Sequence, residues 1–109
     1  MTIVIVSYNA SAHLEKCLES LAASPPSTPH HIIVVDNASP DGTPDWLREL
    51  AAARDDVTVV LNHLNLGFAA GNNLGLSLVR GDAVCLLNND TLVTPGWLGR
   101  MRAVLDAHP

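Results

Sequence analysis

Apolar residues along this chain come in short unbroken runs that end on clusters of small polar side chains. Ile3-Val4-Ile5-Val6 gives way to Ser7-Tyr8-Asn9, Ile32-Ile33-Val34-Val35 to Asp36-Asn37, and Val84-Cys85-Leu86-Leu87 to Asn88-Asn89-Asp90-Thr91. Uninterrupted aliphatic runs of this length read as strands buried on both faces. Burying an unpaired amide or carboxylate is costly. The polar clusters therefore belong at the C-terminal mouths of the strands, where open α/β sheets bind ligands, and they point to one site assembled from several strand ends. Val57 to Leu61 is expected as a shorter strand.

Between these runs the apolar period changes to that of helices. Ser11 is expected to cap a helix with Leu14, Cys17, Leu18, Leu21 and Ala22 on one face. The prolines of Ser24-Pro25-Pro26-Ser27-Thr28-Pro29 end it. Thr43-Pro44 reads as a cap followed by proline in the first turn, with Trp46, Leu47, Leu50 and Ala51 inward. The Gly/Asn-dense stretch Asn65 to Gly75 is expected as a loop leading into a helix that runs to about Val79, closed by Gly81. Thr94-Pro95 repeats the cap-and-proline signature before a last helix with Trp97, Leu98, Met101, Val104 and Leu105 inward.

This alternation predicts an α/β fold: a Rossmann-like parallel sheet of about four strands, joined by right-handed crossovers, with helices on both faces. The 109 residues suffice for one domain. A hydrophobic content of 48% with few aromatics matches an aliphatic, helix-covered sheet. The formal charge is −5, and the six Lys and Arg are scattered. Nucleic acid, which is bound by clustered cations, is thereby excluded as a partner. A phosphate-bearing ligand would need backbone N–H groups, helix N-termini or a bridging metal instead.

Cys17 and Cys85 sit in apolar sequence and are expected as buried free thiols. The first apolar run ends by Val6 with no basic residues before it, so neither a signal peptide nor a membrane span is expected, and a cytoplasmic location is.

Asp36 closes a β-branched strand and reads either as a ligand acceptor or as the cap of the turn Asp36-Asn37-Ala38-Ser39. Asp90 is the one carboxylate of its cluster, and oxygen-rich sites with one or two carboxylates suit Mg²⁺ or Mn²⁺. Gly67, Gly71 and Gly75 are spaced four apart after the third strand. That spacing is not a dinucleotide fingerprint, and it serves either helix packing or close approach of a ligand. No Gly-Lys-Ser/Thr P-loop occurs, and the five histidines lack metal-ligand spacing.

Taken in order, Val4 to Asn9, Ile33 to Thr43, Asn65 to Gly75 and Leu86 to Thr91 resemble an inverting family 2 glycosyltransferase of the GT-A fold, in its rhamnosyltransferase-like branch. The resemblance implies strand order 3-2-1-4 and a UDP-, dTDP- or GDP-linked sugar as partner. It implies that Ser7, Tyr8 and Asn9 line the nucleotide pocket and that Asp36 contacts the base or ribose. Asn65, Gly67, Asn72 and Asn73 would lie against the nucleotide and diphosphate, joined by Asn88 and Asn89. Asp90 corresponds to the last aspartate of the DXD motif, which holds the divalent metal, Mg²⁺ or Mn²⁺.

Asn88 departs from that motif, where aspartate is usual; an amide oxygen removes one negative charge. No counterpart of the family's general base follows Asp90, so no catalytic residue is assigned. The chain is expected to be the donor-binding portion, residues 1–109, of a longer transferase. The missing half would leave a half-sheet uncovered, which predicts a homodimer through that surface. A non-catalytic interaction module on the same half-fold is the alternative reading.

Overall fold

A computed structural model describes residues 1–23 and 28–108. The proline-rich break from Ser24 to Ser27 lies outside the described residues. Eight elements alternate: β1 (Thr2–Ser7), α1 (Ser11–Ala23), β2 (His31–Asp36), α2 (Thr43–Ala53), β3 (Val57–Leu61), α3 (Phe68–Leu76), β4 (Val84–Asn88) and α4 (Trp97–Ala107). The strands form one parallel sheet in the order β3-β2-β1-β4, as expected. β1 is central, with Ile3 opposite Ile32 and Cys85, and Val6 opposite Val35 and Asn88.

Alternation along the strands divides the core in two. Ile3, Ile5, Ile32 and Val34 face α1, α2 and α4 through Leu14, Cys17, Leu18, Leu21, Leu47 and Leu98. Val4, Val6, Ile33 and Val35 form a smaller cluster on the other face, against Leu74 of α3. Helices thus lie on both faces, three on one and α3 alone on the other.

The glycines of α3 explain how one short helix covers that second face. A Cβ at Gly71 would stand 2.8 Å from Val6 Cγ1, and a Cβ at Gly75 would collide outright with Val4 Cγ1. The backbone of α3 therefore lies directly on β1. Of the two readings the sequence left for the glycine spacing, packing accounts for Gly71 and Gly75, while Gly67 opens the helix at φ +84°.

Other boundaries moved for local reasons. Gly42, not Thr43, is the N-cap of α2, and Asp41 just before it turns the chain into the helix, its Oδ1 accepting the Thr43 N–H at 3.0 Å. α3 ends at Leu76, and single turns carry the chain to Val79. α4 begins at Trp97 rather than at Thr94, because Gly96 at φ +78° breaks the helical path that Thr94-Pro95 would have started.

The larger correction concerns the sheet edge. Met101, Val104 and Leu105, expected inward, are 49%, 63% and 45% exposed. β4 is likewise buried on one face only, with Cys85 inside and Leu86 half exposed. β4 is an edge strand, and α4 reaches the core through Leu98 and Trp97 before running past it. Arg102 holds this helix to the turn before β4, donating to both carboxylate oxygens of Asp82 at 2.7 Å and drawing that carboxyl down to about 2.

Both cysteines are free and buried, as expected. His31 is partly buried at the start of β2 and pairs its Nε2 with Thr58 Oγ1 at 2.7 Å.

Candidate functional site

The strand ends that the sequence marked as polar converge at one end of the sheet. A cleft of about 260 Å³ opens there, lined by Val6, Tyr8, Asn37, Asn65, Gly67, Phe68 and Asn89. Tyr8, Asn65, Gly67 and Asn89 were expected; Val6, Asn37 and Phe68 were not. The cleft lies on the α3 face, since Val6 belongs to the cluster under that helix. Its walls are the exits of β1, β2 and β4, and the loop entering α3 closes one side.

Each wall is held by specific hydrogen bonds. The Asn89 side chain donates to the carbonyl of Val6 at 3.2 Å, tying the turn after β4 to β1. The same turn is closed by Thr91 N–H on Asn88 O, and anchored further on by Val93 N–H on Ser20 Oγ of α1. Across the cleft, Asn65 Oδ1 accepts the Gly67 N–H at 2.9 Å, folding the loop into an Asx turn. Asn37 is 2% exposed; its Nδ2 donates to Gly67 O at 3.0 Å and its Oδ1 accepts from Asn62 Nδ2 at 2.8 Å.

Asp36 takes the other of its two possible courses. It is fully buried on the three-helix face, and its oxygens accept from Ser39 Oγ at 2.5 Å and Ser39 N–H at 3.0 Å. Ser39 Oγ in turn accepts the Asn9 N–H at 2.9 Å, so Asp36 fastens the exit of β2 to that of β1. This lock holds Ala38 and Asn9 at φ +61° and +48°, a left-handed conformation costing an L-residue such as alanine roughly 1–2 kcal/mol. Ser7 points to the same side as Asp36, buried, its Oγ without a partner among the described residues. Asn72 is buried in α3 and Asn73 exposed beside it, neither lining the cleft.

Asn88 and Asp90 are both exposed at the mouth. Burial pushes the Cys17 thiol up to about 11, and Asp90 adds to that shift, which puts its charge within reach of α1. Among the described residues no three His, Cys, Asp or Glu side chains gather closely enough to hold an ion alone.

Behind the mouth, hydrogen bonds from Thr43, and then from Ser11 at the start of α1, hold the Asp41 carboxyl below its usual range, against the opposing effect of burial. A depressed folded value means that this stabilisation is full above the unfolded carboxylate range, about 3.9, and is lost as pH falls through the folded value. Asp41→Asn is expected to flatten the acid limb of the stability curve between pH 5 and 3 by less than about 1 kcal/mol, solvent screening keeping it small. Urea midpoints across that range check it; equal acid sensitivity in both proteins would refute the role of this turn.

An open parallel sheet with a polar cleft at its strand ends defines a ligand-binding α/β domain. The glycosyl transferase family 2 model matches residues 2–109, and the chain belongs to that family. It is 28% identical to the glycosyltransferase AglE of Haloferax volcanii over 92% of this chain and 33% of that protein. Its fold matches S. aureus TarS 1–349 solved with UDP-GlcNAc, at TM-score 0.83 and 24% identity, over 98% of this chain and 31% of that one. It also matches the mannosyltransferase PcManGT of Pyrobaculum calidifontis, solved with GDP-Man and Mn²⁺, at TM-score 0.78 and 28% identity, over 89% of this chain and 29% of that one. The fold is GT-A, and the chain spans about a third of the length of the relatives it matches. Among the described residues no helix is long and apolar enough to cross a membrane.

Proposed function

We propose that residues 1–109 are the donor-binding part of an inverting, metal-dependent glycosyltransferase that acts in the cytoplasm on a UDP-, dTDP- or GDP-linked sugar. The observation that carries this reading is the cleft on the α3 face, built from strand ends in a family 2 chain. Solved neighbours bound to UDP-GlcNAc and GDP-Man support it. Tyr8, Asn65, Gly67 and Asn89 would meet the nucleotide directly. Asp36, with Ser7 and Asn9, would shape the pocket from behind through the Ser39 lock. Asn72 and Asn73 would place the first turns of α3 beside the diphosphate.

The donor set at the mouth fits a hard divalent cation sharing ligands with its substrate. Asp90 supplies a carboxylate and Asn88 an amide oxygen, both exposed, and Mg²⁺ or Mn²⁺ completes such a shell with phosphates and water. Bound there, the ion would neutralise diphosphate charge, a task for which the described cleft residues offer no cation. Titration calorimetry with UDP, GDP and dTDP, each with and without Mn²⁺, tests the reading. Metal-enhanced binding of one diphosphate is expected; folded protein that binds none of them refutes it.

The open edge of β4, with Leu86 half exposed on the α3 side and Met101, Val104 and Leu105 of α4 exposed on the other, supports a homodimer through this edge. Sedimentation should show a concentration-dependent dimer that Leu86→Lys weakens. A chain monomeric at every concentration would remove this partner.

A further inference from the structure

We propose that Asn62, which lies outside the cleft, is a positioning residue. Its amide sets the orientation of Asn37, and Asn37 in turn holds the Gly67 loop over the cleft. The claim rests on the nucleotide reading only in what the loop is positioned for.

The geometry permits one arrangement of this amide chain. The Gly67 carbonyl can only accept, and it already takes the Gly71 N–H at 3.0 Å as the first bond of α3. Whatever faces its other lone pair must donate, so Asn37 turns Nδ2 toward it. That leaves Asn37 Oδ1 pointing the opposite way, where only a donor satisfies it. Asn62 Nδ2 is that donor, and Asn62 is itself pinned at the exit of β3 by its N–H on Asp36 O at 2.9 Å.

Reversing the Asn37 amide sets acceptor against acceptor at Gly67 and donor against donor at Asn62, and reversing the Asn62 amide sets acceptor against acceptor at Asn37. Asn37 is too buried for water to repair the loss. The chain of bonds thus links β3, β2 and the start of α3, and its last member is a glycine at φ +84°, a position with no side chain of its own to fix it. Asn62 acts on the cleft wholly through its neighbour.

Asn62→Asp keeps the shape and removes the donor. Its carboxylate recruits Asn37 Nδ2, which turns Asn37 Oδ1 against Gly67 O and frees the loop. The ¹H–¹⁵N spectrum of the variant should lose the protected Asn37 side-chain signals and broaden Gly67 and Phe68, while the amides of β1 and β2 stay in place. Affinity for whichever of UDP, GDP or dTDP the parent chain binds should fall about tenfold, the size of one buried hydrogen bond.

In an Asn37→Ala background the same substitution should change affinity no further, because Asn62 then has nothing to orient. Additive losses in that cycle, or unaltered Asn37 and Gly67 signals in Asn62→Asp, would overturn the proposal. If the parent chain binds no diphosphate, the nucleotide reading fails while the spectrum still decides what Asn62 does.

Discussion

Gly75→Leu is expected to leave little of this chain folded, and Gly75→Ala to lower its unfolding free energy by about 1–2 kcal/mol. Even the alanine methyl would run into Val4 Cγ1, with Val35 Cγ2 3.5 Å away on the other side. Val4 is fully buried on the central strand, and its branched side chain has no freedom to retreat. Alanine gains up to about 1 kcal/mol over glycine inside a helix, so the measured loss is the overpacking cost less that gain. Urea unfolding should therefore rank the variants Gly75→Leu, Gly75→Ala and wild type in rising stability. Val4→Ala combined with Gly75→Ala should be more stable than the single effects sum to. If Gly75→Ala proved more stable than wild type, helix propensity would outweigh the contact and the close approach of α3 would be wrong.

Asp90→Ala is expected to abolish the Mn²⁺ dependence of diphosphate binding and to weaken binding in the presence of metal by at least about tenfold, a charge-assisted contact being worth roughly 1.5–3 kcal/mol. Stability should not change, because Asp90 is exposed and, among the described residues, makes no hydrogen bond that holds its turn. Asn88→Asp should act in the opposite sense, restoring a second carboxylate at the mouth and raising metal affinity in the absence of nucleotide. Calorimetry of the two variants with and without Mn²⁺ separates these effects. An Asp90→Ala chain that keeps full metal-enhanced binding would move the ion elsewhere.

The strands were legible because β1 and β2 are continuous aliphatic runs, a pattern that only a doubly covered sheet tolerates. Tyr8 and Asn89 could be placed at the cleft because polar groups at strand mouths have few other places to go, whereas Asn65 and Gly67 came from the family resemblance alone. Asn37 was marked as part of the Asp36-Asn37 cluster, but only Asp36 was given a ligand contact. Neighbouring residues at a strand end point to opposite faces, and which face carries the cleft depends on where α3 packs. Periodicity does not contain that fact. The exposed half of α4 was missed for a related reason: an apolar stripe records what a helix prefers to bury, not how much sheet lies beneath it.

A single nine-residue helix seals the second core and also carries the loop that closes the cleft. Opening α3 would wet Val4, Val6, Ile33 and Val35 and dismantle the binding surface in the same event, so the two belong to one cooperative unfolding unit. Any ligand that grips the start of α3 therefore stabilises that unit by its own binding free energy. Amide exchange in α3, and beneath it in the central strands, should slow with ligand concentration even at residues that the ligand never touches.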